Sequence, residues 1–360
     1  MKTRTTIKDI AARAGVSLST VHASLNNKPG VGEQTRNRIC EIAKELDYHS
    51  NTVAASLKRK PYCIAALFPQ ETGEYRYYYA DIWKGFRDYM KTLADFSIKA
   101  VEIPYRDEPD HRYIEEKLDQ LSAEGQIDGI ISVGYSSSGI VPPVGKYSEA
   151  GIPVVLVGND NEKINRLCCV QTHYLLLGEI LGEILTSRLG DEDEVLLCIG
   201  NETVPSHFLI VDGFDSYIQK YGIKNRIVRI PGYDSVTYEK ICEQFHNNHN
   251  IKSCSSVTAR GSIFLGKAIE SCGRKGSVLA VGSDLFPENM CCLEQGIFSN
   301  LLHKNTYRQA YVATQYLTEF LLRNIAPPSE SVYVRSEVLF RSSIPMYQCE
   351  TVSGNHLYIS

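Results

Sequence analysis

Nowhere does this chain carry a run of about 18 consecutive apolar residues, which excludes a membrane-spanning helix. Its opening stretch, MKTRTTIKDI, also lacks the apolar core of a signal peptide, so the chain is expected to stay in the cytosol. C-x-x-C pairs are absent as well. The eleven cysteines sit mostly in apolar, strand-like runs such as NRLCCVQ and VLLCIG, with no histidine at metal-ligand spacing nearby. Buried, reduced thiols are the expectation, and no metal. Catalytic signatures are missing too: there is no G-x-S-x-G, no phosphate-loop lysine pattern, no H-E-x-x-H and no G-x-G-x-x-G after a strand. Neither an enzyme nor a cofactor is expected. HNNHN (246–250) places two histidines at i, i+3 among asparagines in a loop-like stretch, and DEDE (191–194) reads as a solvated loop before a strand.

What the chain does have is enough apolar residue, 43% of 360, for several compact units, and an uneven charge. Residues 1–60 hold eleven Lys/Arg against five Asp/Glu, a balance of +6, which leaves 27 against 37, or −10, for the remainder. A basic head on an acidic body suits a polyanionic partner for the head alone.

Three short helices can be read in that head. Thr6 and Asp9 form a capping box before Ile7, Ile10, Ala11 and Ala14, and Gly15 is placed to end the helix. Ser17 caps a second helix with the apolar stripe Leu18, Val21 and Leu25. A third, beginning near Glu33, carries Ile39, Ile42, Ala43 and Leu46. Two helices joined by a short turn with a glycine are a helix-turn-helix, whose second helix enters the DNA major groove. The outward residues Ser19, Thr20, His22, Ala23 and Asn26 fit that use or a plain solvated face. The flanking bases Arg4, Lys8, Lys28, Arg36 and Arg38 favour DNA. Next, SNTVAASLKRKP reads as a marginal helix capped by Asn51, with Leu57 set as an apolar wedge for a minor groove, or else as an ordinary linker with one buried leucine.

These residues, IKDIAARAGVSLSTVHASLNNKPGVGEQTRNRICEIAKELDYHSNTVAASLK, resemble the opening pattern of the lactose and galactose repressors, the LacI/GalR family of bacterial transcription regulators. The likeness is dense over 5–60 and looser to about 345, where the family has a periplasmic-binding-protein-like ligand domain. By position, the resemblance implies phosphate contacts from Thr5, Thr6, Ser17, Thr20 and Asn26. It implies base contacts from Leu18, Ser19, His22 and Ala23, and a minor-groove hinge at Leu57 with Lys58. His22-Ala23 stands where members commonly have Ser-Arg.

After Pro61, short apolar runs alternate with helical periodicity: CIAALFP, SIKAVEIPY, GIISVG, PVVLVG, EVLLCIG, RIVRIPG, SVTARG, VLAVGSD, SNLLH and VYVRSEVLF. Strands separated by helices imply doubly wound parallel sheets, and ten strands imply two of them. A ligand is then expected beyond the carboxyl ends of the strands, in a cleft between lobes. EYRYYYADIW, after the first strand, offers Tyr75, Tyr77, Tyr78, Tyr79 and Trp83 as flat apolar faces for a sugar, with Trp83 and one tyrosine expected in the core.

The resemblance adds Asp284 as an acceptor of sugar hydroxyls, and puts Arg260, Lys304 and His173 where members often have neutral or acidic groups. Together with Tyr77, Tyr78 and Tyr135, these form the expected effector site. The extra cations imply an anionic ligand, a sugar acid or sugar phosphate. The expected organisation is an all-α helix-turn-helix domain (1–50), a hinge helix and linker (51–61), a two-lobed α/β periplasmic-binding-protein-like domain (62–345) and a tail (346–360). The expected function is a homodimeric repressor whose hold on operator DNA is set by a small effector, in a bacterial cytoplasm and associated with the nucleoid. A solute-binding receptor of a transport system is the alternative, disfavoured by the basic head.

Overall fold

Thr6 opens the first helix, α1 (Ile7–Ala14), from extended backbone, and its N–H and hydroxyl both donate to the Asp9 carboxylate at 2.7 Å. Gly15, at φ 64, closes that helix by donating its N–H to the Ala11 carbonyl. Ser17 Oγ then accepts the Thr20 N–H at 3.1 Å and caps α2 (Leu18–Leu25). After α3 (Glu33–Glu45), the three helices close on Ile10, Ala11, Ala14, Val21, Ile39, Ile42 and Ala43. The computed structural model describes residues 6–25, 30–46, 61–106, 112–136, 139 and 141–348. Thr5, Asn26, Leu57 and Lys58 lie outside these, as does the side chain of His22. Contacts divide the chain into two units, Met1–Lys60 and Pro61–Ser360.

One expected core residue of the head is not in the core. Leu18 is 47% exposed, because helical side chains lean toward the N-terminus and a first-turn residue points past the packed part of its own helix. Ser24 is buried instead, its hydroxyl donating to the Thr20 carbonyl at 2.8 Å.

The second unit is built on two six-stranded sheets, and the chain enters the first through β1 (Tyr62–Pro69), β2 (Ile98–Tyr105), β3 (Gly129–Val133), β4 (Val154–Val157) and β5 (Cys168–Thr172). It enters the second through β6 (Glu194–Gly200), β7 (Ile227–Pro231), β8 (Ile251–Ser256), β9 (Leu279–Ser283) and β10 (Asn300–His303). Finally β11 (Ser331–Val334) joins the first and β12 (Glu337–Leu339) the second. The strand orders are β11-β5-β4-β3-β1-β2, wholly parallel, and β12-β10-β9-β8-β6-β7, antiparallel only at β12. Helices α4 (Arg76–Thr92), α5 (Arg112–Ala123) and α6 (Gly145–Glu149) belong to the first lobe. Helices α7 (Tyr174–Thr186), α8 (Pro205–Lys220), α9 (Ser235–Asn247), α10 (Ala259–Ser271) and α11 (Pro287–Gln295) belong to the second. α12 (Thr306–Arg323) returns to the first, and a short α13 (Ile344–Gln348) ends the described chain.

Why the strands read as unbroken apolar runs follows from burial on both faces. Along β1, Ile64, Ala66 and Phe68 point into one core with Trp83 and Leu317, while Ala65 and Leu67 point into another with Leu118 and Leu156. Along β6, Leu196 and Cys198 meet Phe245 and Leu265, and Val195 and Leu197 meet Leu177 and Phe214.

Three strand expectations are corrected. SVTARG is not a strand: β8 is the preceding IKSCSS, whose serines are buried, Ser255 donating to the Val281 carbonyl at 2.8 Å. Its polar composition hid it. CCVQT forms β5, an additional strand, and VYVRSEVLF is two strands in different sheets, broken at Arg335–Ser336 where the chain changes lobe. The chain thus crosses between lobes after β5, after β10 and after β11. Past residue 345, Tyr347 still packs against the second-lobe core.

Helices α7 and α8 meet backbone to backbone. A Cβ on Gly178 would fall 2.1 Å from the Ile210 carbonyl oxygen, and one on Gly213 would fall 2.0 Å from the Leu175 carbonyl oxygen. We predict that Gly213→Ala destabilises the second unit by about 1–3 kcal/mol in urea unfolding, the range of overpacked cores. A loss below about 0.5 kcal/mol would show that the helices separate freely.

Candidate effector cleft and recognition helix

Between the two sheets, residues that follow the carboxyl ends of the strands converge on one cleft, as open α/β sheets dictate. After β1 come Glu74, Tyr75, Tyr77, Tyr78 and Tyr79; after β4, Asn159; after β6, Val204, Ser206 and His207; after β7, Tyr233. After β8 come Val257, Thr258, Ala259 and Arg260, and beyond β9 and β10 stand Asp284 and Lys304. The cleft holds about 640 Å³ of empty space, part of it open to solvent.

At its floor lies a buried ion pair. Lys304 Nζ donates to Asp284 Oδ2 at 2.7 Å, with the two side chains 4% and 5% exposed, and also donates to Ser283 Oγ. The Lys304 N–H donates to Asp284 Oδ1 at 3.2 Å, and Asp284 itself sits in left-handed backbone, φ 70. Because Lys304 follows β10, it lies at one lobe crossing. Its carbonyl accepts Thr172 Oγ1 at 2.6 Å, from another crossing, and Gln309 Nε2 at 2.7 Å, from α12.

A second set of contacts joins the lobes at the mouth. Glu74 pairs with Arg260, whose guanidinium stands 5.5 Å over the Tyr233 ring. Arg76 pairs with Glu288 and lies 4.2 Å over Tyr77, and that ring is 4.9 Å from Phe286. Within the cleft, Asn159 Oδ1 accepts the Ser206 N–H at the start of α8, 2.8 Å away. His207 is buried, and burial first, then the positive charge of Lys304, lowers its pKa to about 3. Its ring is therefore neutral near pH 7 and accepts the Asn201 N–H at 3.2 Å through Nδ1.

In the head, the N-terminus of α2 gathers three hydroxyls: Ser17 Oγ lies 2.7 Å from Ser19 Oγ and 2.8 Å from Thr20 Oγ1. Ser17, Leu18 and Ser19 are exposed, Thr20 and Ala23 half-buried. Short donors at a helix N-terminus, where unsatisfied amides carry partial positive charge, suit a phosphate or a base edge.

Residues 6–51 match the model of bacterial regulatory proteins of the lacI family, and residues 66–323 match the periplasmic binding protein domain. The chain belongs to the lacI family. Two relatives are the catabolite control protein A of Streptococcus mutans, 32% identical over 154 residues, 42% of this chain and 43% of that one, and the HTH-type transcriptional regulator RegA of Clostridium saccharobutylicum, 32% identical over 133 residues, 37% of each. The aligned segments thus span less than half of either relative. In fold, this lacI-family chain is similar to the glucose-galactose binding protein GanP of Geobacillus stearothermophilus, with a TM-score of 0.66 at 20% identity over 80% of this chain and all of that one.

Of the expected effector residues in this lacI-family chain, Tyr77, Tyr78, Arg260, Asp284 and Lys304 line the cleft. His173 does not. It is exposed, caps α7 by accepting the Leu176 N–H at 3.2 Å, and lies against Tyr333, 4.8 Å away. A histidine just before a helix is used there as a cap because its ring nitrogen reaches a free first-turn amide. Tyr135 is half-buried and stands outside the lining. The expected excess of cations is also absent, since Lys304 faces Asp284 and Arg260 faces Glu74. Trp83 is core, its Nε1 donating to the Pro69 carbonyl at 2.8 Å, and so is Tyr79 at its ring. Glu74, Asn159, Ser206, His207, Tyr233 and Thr258 were missed. Each follows the end of a strand, and that position was the signal available.

Two measurements follow. Lys304→Met leaves Asp284 charged and alone in a buried site and is expected to destabilise the body by about 3–5 kcal/mol, whereas Lys304→Met with Asp284→Asn recovers most of the loss. Equal instability of single and double variants would remove the buried carboxylate as the cause. His207 binds its proton far more readily when unfolded, near pH 6.5, than when folded, near pH 3. Stability is therefore expected to fall as pH drops from about 6.5, and His207→Gln should flatten that fall in urea melts between pH 5 and pH 7.5. An unchanged slope would place the proton elsewhere.

Proposed function

We propose that this chain is a sequence-specific DNA-binding regulator of transcription, a repressor, whose hold on its operator is set by a small carbohydrate-like effector in the cleft. The observation that carries the DNA half is the cluster of Ser17, Ser19 and Thr20 hydroxyls beside an exposed Leu18 at the N-terminus of α2. A solvated helix has no use for an exposed leucine there, whereas a groove supplies thymine methyls and phosphates for both. One such helix reads a half-site, so the proposed regulator is a homodimer on a pseudo-palindromic operator. It acts in the cytoplasm, held to the nucleoid by DNA.

For the effector, the cleft offers aromatic faces from Tyr75, Tyr77 and Tyr233 and polar groups from Asn159, His207 and Asp284, a lining suited to a sugar ring. Two acids against two bases, with no excess of either, favour a neutral sugar over the sugar acid or sugar phosphate first expected. An anion would have to draw Arg260 away from Glu74. Binding that prefers one lobe arrangement is sufficient to shift operator affinity. The transport-receptor reading draws on the fold likeness to GanP, but leaves the basic head without a role.

Mobility shifts against promoter fragments test the first half. Affinity is expected to drop about 10³-fold or more between 50 and 200 mM salt, and to vanish on removal of residues 1–60. Ala23→Arg is expected to change the preferred bases, and salt-independent binding would end the proposal. Calorimetry with neutral sugars, sugar acids and sugar phosphates decides the second half. Binding of the anions alone, abolished by Arg260→Ala, would reverse the effector class.

A further inference from the structure

Half of the ten cysteines among the described residues are sealed in strands: Cys63, Cys168, Cys169, Cys198 and Cys254 are buried. Cys242 and Cys272 are different. Cys242 lies on α9, Cys272 is the residue that caps the C-terminus of α10, and both are half-buried at the surface of the second lobe. They flank one exposed hydroxyl: Ser271 Oγ is 4.0 Å from Cys242 Sγ and 3.9 Å from Cys272 Sγ, with the Tyr238 hydroxyl 3.1 Å away on the same oxygen. The two helices pack side by side, so the thiols are held together by tertiary structure rather than by sequence, 30 positions apart.

We propose that Cys242 and Cys272 are an oxidant-sensitive dithiol that closes to a disulfide with a peroxide. In the first step Cys242, as thiolate, attacks one peroxide oxygen; the O–O bond breaks, and Cys242 sulfenic acid and water result after proton uptake. In the second step the Cys272 sulfur attacks the Cys242 sulfur, the S–O bond breaks, and the Cys272 proton leaves with hydroxide as a second water. Two thiols are oxidised by two electrons and one peroxide is reduced to two waters. The order of roles follows from position: Cys272 caps the C-terminus of α10, where the partial negative charge of the helix end disfavours a thiolate, while Cys242 lies within α9, so Cys272 is the resolving group. Burial raises the Cys272 pKa in the same direction.

The site also has a structural reach. α10 carries Arg260 into the effector cleft at its first turn and ends beside Cys272, about 20 Å away for 13 residues. A disulfide would tie the far end of that rod to α9. It would also constrain the unfolded chain, which raises the melting temperature if the native geometry is unstrained.

The test uses the full chain, reduced, desalted and treated with hydrogen peroxide, then digested without reduction for mass spectrometry. The expected result is a Cys242–Cys272 linked peptide pair, loss of two titratable thiols, a melting temperature raised by several degrees, and reversal of all three by dithiothreitol. Cys242→Ser and Cys272→Ser should each abolish the link and the shift, while Cys272→Ser leaves a Cys242 sulfenic acid that dimedone traps. Both Ser variants should melt like the reduced parent, which separates lost chemistry from lost folding. Recovery of both thiols free or overoxidised at peroxide levels that modify Cys291, or pairing with other cysteines instead, would overturn the proposal.

Discussion

A lysine and an aspartate with almost no access to water hold the centre of the body together. Lys304 and Asp284 are close to a direct pair, and the energy of that contact depends on both being present, since either alone would be a charge in a low-dielectric site. The pair is also placed where its effect is largest. Lys304 sits in a lobe crossing, Asp284 beyond the end of β9, and the Lys304 carbonyl is anchored by Thr172 from a second crossing. The same charges that neutralise each other therefore join the second-lobe sheet to the connections between lobes. They also set the surroundings of His207, held neutral by burial and by the nearby ammonium.

The mouth of the cleft is organised on a different principle. Glu74 with Arg260, and Arg76 with Glu288, are partly exposed pairs, each worth little by itself. Their value lies in position, because every one joins the segment after β1 to helices of the other lobe, and Tyr77 against Phe286 closes the apolar part of the same seam. The lobes are thus tied at two depths of the cleft, by a buried pair at the floor and by partly exposed pairs at the rim, and solvent screens only the second. That division suits a protein whose ligand must enter, be enclosed and leave.

Much of this was legible in residues alone. The capping residues Thr6, Gly15 and Ser17 placed the first two helices, because caps satisfy local backbone groups and leave a local signature. Continuous apolar runs such as CIAALFP and EVLLCIG announced strands buried on both faces. What escaped was whatever broke that local rule: IKSCSS is a strand although it is mostly polar, with the Ser255 hydroxyl donating to Val281 of the neighbouring strand and the Ser256 hydroxyl to the Thr258 carbonyl just beyond its own end, and Leu18 is exposed although it completes an apolar stripe. His173 was assigned to a cleft and serves as a cap, since position relative to a strand says where a loop points, not which partner a side chain finds.

The sequence by itself determined the basic head with its helix-turn-helix, the two wound sheets, and the strand ends from which a site must be built, because periodicity, caps and charge are properties of neighbours along the chain. Only the tertiary structure decided which charges meet. Arg260 and Lys304 look like free cations in the sequence, yet Glu74 is 186 positions from one and Asp284 is 20 from the other, and the fold brings each carboxylate onto its base. An ion pair between distant segments depends on how the lobes are wound and crossed, so the net charge of the cleft is fixed by topology and not by composition.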